Sequence, residues 1–280
     1  MADQDLRLLE RSTDIEDARG VRRLMAARAR VGLGFHGEVL PEGVQPDRIE
    51  ELHPDVQRDP TMPHGLVGVY KMQLVSGVPI EMVYVPGGDF LYGSKEDDAE
   101  AYADEKPQVV QHAPGFHVSR GPVSVREFDP TKEKGKKVLH PVVNISWHDA
   151  TAWVAENKLS LLTEVQWEKM ARGTDGRKFA WGDDLDGERM TYYTTPYGKG
   201  TTPIGKFPRG SSPYGCLDCN GNVWEWCQDV YSERRSLPGD GARVLRGGSR
   251  NCAPQGCRSA FRLSCDPGYR LDRYGFRVRR

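Results

Sequence analysis

Short segments rich in apolar residues, separated by clusters of turn residues, make up most of the chain after position 68. The segments 69–74 and 80–85 have this pattern, and Pro86-Gly87-Gly88 ends the second, so two strands are predicted here. Further short strands are predicted at 116–119, 223–227, 243–246 and 276–278. The pattern therefore predicts many short strands joined by long irregular loops.

Two segments carry a helical period instead, and each begins with a capping signal. Ser146 precedes Asp149 by three residues, and Thr163 precedes Gln166 by three residues, which is the spacing of a capping box. Tryptophan and small apolar residues follow each cap, and Gly173 provides a stop for the second helix. The sequence thus predicts two capped helices whose tryptophans lie in the core.

The first 67 residues differ in character from the rest. Thr13 or Asp14 can cap an amphipathic helix. The apolar face of that helix comprises Ile15, Ala18, Val21 and Met25. Residues 41–67 are rich in Pro, Asp, Glu and His, which is typical of an extended linker or a wrapped loop. We predict an N-terminal helical extension and linker at 1–67, followed by one domain at 68–280.

Charge and hydropathy exclude several classes of protein. The formal net charge is −1, so nothing global attracts nucleic acid or an anionic membrane. There is no run of 18 apolar residues to span a bilayer. The acidic start of the chain lacks the apolar core of a secretory signal, so a cytoplasmic location is the default expectation.

The cysteines are concentrated in the last quarter of the chain, at Cys216, Cys219, Cys227, Cys252, Cys257 and Cys265. Cys216 and Cys219 form a C-x2-C pair, and Cys252 and Cys257 form a C-x4-C pair. A zinc site commonly uses two C-x2-C pairs, which this spacing does not reproduce. A redox pair and a set of small buried apolar side chains both stay open. A disulfide framework is not expected without a secretion signal.

Seven motifs follow one another in an order that resembles a known family. They are MVYVPGGDF (82–90), PVVNISW (141–147), LTEVQWE (162–168), FAWG (179–182), NGNVWEW (220–226), RGGS (246–249) and GFRV (275–278). In this order they resemble the formylglycine-generating enzymes, or sulfatase-modifying factors, over about residues 78–280. The resemblance implies an α+β, C-type-lectin-like fold with short mixed strands, two main helices and long loops on one face. The same fold serves oxidases, sulfoxide synthases and non-enzymatic binders, so the site must decide the function.

The same resemblance implies a calcium ion that supports the scaffold. The aligned positions are Asp218, Gly221, Val223 and Glu225. Two of them would supply carboxylate oxygens and two backbone carbonyls, as a hard cation requires. Asp218 stands where the family has an amide ligand.

One alternative that the resemblance implies is a copper-dependent oxidase acting on a peptide cysteine. The enzymes bind copper(I) through two cysteines spaced C-x4-C after Gly-Gly-Ser, and Cys252 and Cys257 match them here. Arg258 follows Cys257 at once, so the cysteine loop is shorter than in the enzymes. The iron-dependent sulfoxide synthases need a His-x3-His-x-Glu site in a further domain. The three histidines before residue 68 do not have that spacing.

The C-terminal region, at 247–275, also resembles the variable region of proteins diversified by retroelements, in which fixed and changeable positions alternate on a lectin-like fold. The positions that look fixed are Arg246, Gly247, Gly248, Ser249, Arg258, Ser259, Ala260, Arg262, Asp266, Pro267, Arg270, Gly275, Phe276 and Arg277. The candidate ligand-binding residues between them are Arg250, Asn251, Cys252, Ala253, Gly256, Phe261, Leu263, Ser264, Cys265, Tyr269, Leu271, Asp272, Arg273 and Tyr274.

The residue types in this region fit that interpretation. The resemblance implies a mechanism that rewrites adenines, chiefly in asparagine-type codons, and each candidate position holds a residue that this can reach. Residues 247–280 contain no Lys, Glu, Met or Trp, and Gln255 must then be fixed. Apolar and aromatic side chains on loops usually mark a contact surface. We therefore expect a non-enzymatic protein that binds a protein or cell-surface ligand, with the copper-dependent oxidase as the alternative and the oligomeric state open.

Overall fold

The computed structural model describes residues 18–30, 33–132, 135–193, 200–232 and 241–280. A six-stranded sheet forms one half of the framework. Its strands, in spatial order, are β1 (Val44–Glu51), β2 (Leu66–Gln73), β3 (Pro79–Val85), β6 (Phe116–Ser119), β12 (Val278–Arg279) and β7 (Ser160–Leu161). Neighbouring strands in this sheet are antiparallel.

A four-stranded sheet carries the C-terminal region. Its strands, in spatial order, are β10 (Arg262–Cys265), β9 (Arg243–Arg246), β8 (Trp224–Val230) and β11 (Tyr274–Phe276). β8 pairs antiparallel with β9 and parallel with β11, where Tyr274 lies opposite Trp224. A separate hairpin is formed by β4 (Gly88–Tyr92) and β5 (Val109–Ala113). The short strands predicted from the sequence are confirmed.

Residues 274–279 belong to both large sheets. β11 pairs with β8 in the four-stranded sheet, and β12 inserts between β6 and β7 in the six-stranded sheet. Only Arg277 separates the two strands. This crossing brings the GFRV motif into the centre of the fold.

The helices are α1 (Ala18–Arg30), α2 (Val125–Phe128), α3 (Trp147–Glu156) and α4 (Glu164–Arg172). Both predicted capping boxes are confirmed. The Ser146 hydroxyl accepts from the Asp149 N–H at 3.1 Å, and the Thr163 hydroxyl accepts from the Gln166 N–H at 3.2 Å. In return, the side chains of Asp149 and Gln166 accept from the backbone N–H of the cap residues. Each box therefore satisfies two backbone donors at the start of its helix.

Large aromatic side chains fill the space between the helices and the two sheets. Trp226 is buried, and its indole N–H donates to the Ile145 carbonyl at 2.8 Å. Trp153 of α3 packs edge-on against Phe276 of β11 at 5.5 Å between ring centroids. Buried aromatic pairs of this kind stabilise a core beyond the apolar area that they remove from water.

The segment 41–67 differs from the expected linker or loop, because it contains β1 and the start of β2. β1 is mostly polar and includes Pro46, where the register with β2 shifts. An edge strand tolerates both features, since only one of its sides makes sheet hydrogen bonds. The apolar face of α1 includes the buried Met25. The proposed caps at residues 13 and 14 lie outside the described residues.

No helix in the described ranges is long and apolar enough to cross a bilayer.

Candidate functional site

Buried arginines hold the C-terminal region to the rest of the domain. Arg246, which is fully buried, donates to Glu164 Oε1 at 3.0 Å and to Glu168 Oε2 at 2.6 Å. It also donates to the carbonyls of Ser259 and Ala260 at 2.6 and 3.2 Å. A single guanidinium thus joins α4 to the turn before β10. The planar fork of arginine suits this task, because its donors have fixed directions.

Three further arginines act in the same way. Arg258 donates to both oxygens of Glu105 at 2.7 and 2.8 Å, and Arg262 donates to both oxygens of Glu164 at 2.5 and 2.8 Å. These pairs are buried, so bulk water screens them little. They fix the backbone of residues 258–262 through side chains that point inward. Arg277, the last of the three, pairs with Glu225, a glutamate of the candidate calcium site.

Burial separates the two sets of positions that the sequence analysis proposed. Most of the positions that look fixed are buried, except Asp266, Pro267 and Arg270. Among the candidate ligand-binding residues, the exposed ones are Asn251, Ala253, Ser264, Tyr269 and Asp272. Those that are half-buried are Cys252, Gly256, Phe261, Leu263, Leu271 and Arg273. The positions that look changeable therefore lie mainly at a surface, and those that look fixed lie mainly beneath it.

Three candidate ligand-binding residues lie inside the protein: Arg250, Cys265 and Tyr274. Arg250 donates to Asp272 Oδ2 at 2.5 Å, and the Cys265 thiol lies 3.6 Å from the Tyr274 hydroxyl. Tyr274 also packs edge-on against Trp226. These three side chains therefore lie beneath the surface and do not form part of it.

Cys252 and Cys257 come together as a thiol pair. Cys257 is fully buried and Cys252 is half-buried, and the two thiols are near enough to shift each other's pKa. The Ser249 hydroxyl lies 3.4 Å from the Cys252 sulfur. The Cys257 thiol, above all, lowers the pKa of Cys252 to about 6, and the pKa of Cys257 is raised in turn. The arrangement favours one thiolate, at the more exposed sulfur.

This pair fits the donor set that a soft metal such as copper(I) takes, since it offers two adjacent thiols of which one is reachable. Arg258, directly after Cys257, points away to Glu105, which fixes the end of the loop. The remaining thiols are free, and those of Cys216, Cys219 and Cys227 are fully buried. Several cysteines are therefore small core side chains, which agrees with the alternative that the cysteines are a set of small buried apolar side chains.

Three residues of the candidate calcium site, Asp218, Gly221 and Val223, lie in the segment before β8, and Glu225 lies in β8 itself. Asp218 has φ of +55°, Asn222 has φ of +61°, and the Asn222 amide donates to Asp218 Oδ2 at 3.1 Å. Burial raises the pKa of Asp218 to about 6, so the site holds a carboxyl group that a cation would favour in its charged form. The aligned backbone positions, Gly221 and Val223, are in the same segment.

Glu225, the other carboxylate of this set, already has strong partners. Arg277 donates to both of its oxygens at 2.8 Å, and the Trp167 indole N–H donates to Oε2 at 2.7 Å. The described residues include no group of three or more His, Cys, Asp or Glu side chains placed to hold a metal ion. Asp218 thus fits a calcium ion, whereas Glu225 is neutralised by the protein itself. Calcium stays a prediction.

Two exposed tyrosines from other loops flank the surface, and the sequence analysis missed them. Tyr102 packs edge-on against Phe261 at 5.4 Å, and Phe261 lies 5.8 Å from Trp224. The Tyr193 N–H donates to the Cys252 carbonyl at 3.2 Å. Both tyrosines are more than half exposed. In the sequence, each is simply a tyrosine among turn residues. That pattern does not indicate which residues its side chain contacts.

Comparison with known proteins places this geometry in a family. A family model described as the sulfatase-modifying factor enzyme 1-like domain matches residues 74–280. The chain is 29% identical over 240 residues to the serine/threonine-protein kinase Pkn1 of Chlamydia trachomatis, covering 70% of this chain and 38% of that protein. It is 38% identical over 171 residues to the formylglycine-generating enzyme of Streptomyces coelicolor, covering 49% and 52%. The chain spans about half or less of the length of these relatives.

A solved structure confirms the fold. The chain superposes on Treponema denticola variable protein 1 with a TM-score of 0.63 at 20% identity, covering 75% of this chain and 97% of that one. The expected α+β architecture is thereby confirmed, together with the likeness to a variable protein. Since the family model covers most of its length, the chain belongs to the sulfatase-modifying factor family, which is also the family of the formylglycine-generating enzymes.

Proposed function

We propose that this chain is a non-enzymatic binding protein, a variable protein of a diversity-generating retroelement, whose C-terminal surface carries diversified residues. The observation that supports this most strongly is the separation by burial. Positions that look fixed are mainly buried, and they include the arginines that bind buried carboxylates, whereas positions that look changeable are mainly exposed or half-buried. Substitution at the surface then leaves the support unchanged.

The buried arginines explain how a varied surface is compatible with one fold. Arg246, Arg258 and Arg262 bind carboxylates of α4 and of the loop before β5, which lie outside the varied region. The backbone of 258–262 therefore does not depend on what the exposed side chains are. Surface substitutions that touch no such feature usually change stability by less than about 0.5 kcal/mol.

The chemistry of the surface favours a protein or cell-surface ligand. Tyr269 is exposed, and Phe261 and Leu271 are half-buried beside the charged Asp272 and Arg273. Aromatic and arginine side chains are enriched where proteins bind one another, because they combine a large contact area with a polar group. A depression of about 250 Å³ beside Pro254 and Gln255 extends this surface.

The decisive test of this proposal is genomic. The gene should be followed by a near-copy of the 3′ coding end that differs from it mainly at adenines, beside a reverse-transcriptase gene. The differences should map to the exposed and half-buried candidates and should spare the codons of Arg246, Arg258, Arg262 and Arg277. An isolated gene without such a copy would refute the retroelement origin.

The thiol pair favours one second candidate, a copper-dependent oxidase that converts a peptide cysteine to formylglycine. Cys252 and Cys257 would hold copper(I) in this case, and the Ser249 hydroxyl would orient the Cys252 sulfur. Bound copper would supply the activation of dioxygen. The half-exposed Cys252 would let the peptide thiol reach the metal, while the buried Cys257 would keep the other ligand from water.

Copper(I) titration separates the two candidates. The oxidase requires tight binding by two thiolates, its loss in Cys252→Ala and in Cys257→Ala, and conversion of a cysteine peptide detected by mass spectrometry. The matched control is Cys265→Ala, whose thiol faces Tyr274. Tight binding without conversion of the peptide would leave the binding protein as the function.

A further inference from the structure

The N-terminal arm, defined as α1 together with residues 33–39, packs on the six-stranded sheet. The two parts of the arm hold each other, since the Leu33 N–H donates to the Arg28 carbonyl and Arg28 donates to the Phe35 carbonyl at 3.2 Å. The Phe35 ring lies against Gly68 of β2, where an added Cβ would meet it at 2.1 Å. The arm is therefore fitted to the sheet surface at this point.

A buried carboxylate forms the centre of this contact. Glu38 Oε1 accepts from the Tyr70 hydroxyl at 2.5 Å, and Oε2 accepts from the His36 N–H at 2.8 Å. The Tyr70 oxygen in turn accepts from the Phe35 N–H at 2.8 Å. His117 of β6 lies with Nε2 3.4 Å from Glu38 Oε1, and its side chain is only 2% exposed. Both oxygens of Glu38 are thus already used in the docked arm.

Two buried ring nitrogens of this cluster have no hydrogen-bond partner among the residues that the structure describes: Nε2 of His117, which lies near the Glu38 carboxylate, and Nε2 of His36. The His36 ring stacks on Tyr84 of β3 at 5.9 Å, and within the described ranges no group forms a hydrogen bond with its buried Nε2. The groups that face it are Glu38 from the arm, Arg28 from α1 and His117 from β6. Two of these three groups oppose a positive charge on His36.

We propose that the arm is a pH-dependent latch, which packs on the sheet while His36 is neutral and detaches when His36 is protonated in mildly acidic solution. Protonation places a charge at a nitrogen that has no acceptor, and the charges of Arg28 and His117 oppose it. Detachment transfers that charge to water. The partner of the latch is this chain's own sheet, at Tyr70, Tyr84 and His117.

The sign and size of the effect follow from linkage. Burial lowers the pKa of His36 in the docked arm, whereas a histidine in water has a pKa of about 6.5. The detached state therefore binds more protons below about pH 6.5, and docking weakens as the pH falls. Docking weakens about fivefold for the first pH unit below that value, and about tenfold between pH 7.5 and pH 5.5, provided the docked pKa lies well below this range. Hydrogen bonds lower the pKa of Glu38 against the effect of burial, so Glu38 stays ionised in this window.

Hydrogen exchange of the full chain, read by mass spectrometry and corrected for the intrinsic rates, tests the latch. Between pH 7.5 and pH 5.5, peptides that cover 33–39 should lose protection about tenfold, while peptides of β2 and β3 keep theirs. His36→Phe keeps the stacking ring and removes the titrating nitrogen, so protection of the arm should become independent of pH. The matched control is His112→Phe, since His112 is 68% exposed and pairs only with Asp89 at the surface. The control should lose protection as the unchanged chain does.

Three results would overturn the proposal. One is equal protection of the arm at the two pH values. Another is a tenfold loss that persists in His36→Phe. The third is a parallel loss of protection in β2 and β3, which would show unfolding of the whole domain. If His36→Phe fails to dock at pH 7.5, the pH titration of the unchanged chain still decides, because the latch requires loss in the arm alone.

Discussion

Removing the guanidinium of Arg246 should destabilise the domain more than any surface change in the C-terminal region. Arg246→Ala leaves the buried Glu168 Oε2 without its 2.6 Å partner and exposes the carbonyls of Ser259 and Ala260 to a cavity. Glu164 keeps Arg262, and Glu168 keeps Arg172 at its other oxygen. Arg246→Ala therefore removes some contacts of this buried network, and its other ion pairs remain.

The expected size follows from these contacts. Breaking a buried ion pair by removing one partner costs about 3–5 kcal/mol, because the other charge stays buried. We take about 4 kcal/mol for Arg246→Ala, since part of the network survives. With a urea m-value of about 3 kcal/mol/M for a domain of this size, the unfolding midpoint should fall by about 1.3 M.

The assay is equilibrium urea unfolding followed by tryptophan fluorescence. Arg270→Ala is the matched control, because Arg270 is 56% exposed and pairs with Asp149 at the surface, so its midpoint should stay unchanged. Arg246→Lys keeps the charge but not the fork, and it should fall between the two. If Arg246→Ala and Arg270→Ala shift the midpoint equally, Arg246 does not support the C-terminal surface. The separation of the two sets of positions by burial would then no longer support the proposed function.

Three further predictions concern the surface, the thiols and the metal. Ser264→Asn and Tyr269→Asn, combined in one variant, should leave the thermal midpoint within about 1 °C of the unchanged chain, because both side chains are exposed; a clear drop measured by circular dichroism would mean that this surface is structural. Iodoacetamide should modify Cys252 before the other cysteines, which are buried. Since the pKa of Cys252 is lowered to about 6, the rate of this modification should be nearly constant above pH 7 and should fall below pH 6. Peptide mapping that finds another thiol modified first would contradict the geometry. Calcium in excess should raise the thermal midpoint of the unchanged chain and not that of Asp218→Ala, with magnesium as the control cation; equal midpoints with and without calcium would rule out the scaffold ion.

Local patterns in the sequence predicted local structure well. The boxes at Ser146 and Thr163 are contained within four residues each, so reading them needs no knowledge of the fold. The strands 69–74 and 80–85 are buried on a sheet, and their apolar pattern shows this. β1 was missed because it lies at an edge, where polar residues and a proline are tolerated.

The support of the candidate site could not be read in this way. Glu105 and Arg258 are 153 positions apart, and Glu168 and Arg246 are 78 apart. A charged residue far from its partner looks the same in the sequence as one on the surface, so only the structure shows that these arginines point inward. The separation of fixed from changeable positions was proposed from resemblance, and burial gives it a physical cause. The contact of Tyr102 with Phe261 had no sequence signal at all.

The crossing of residues 274–279 between the two sheets has a consequence for how the domain is made. The six-stranded sheet stays open between β6 and its edge strand β7 until β12 is inserted, and β8 lacks one neighbour until β11 pairs with it. A ribosome that has not yet released these residues therefore holds a chain with two incomplete sheets. Native pairing of β11 and β12 must wait until translation has passed Arg279, so one segment completes both sheets. A frameshift within residues 247–275 would leave a product that cannot close either sheet, and cells would degrade it.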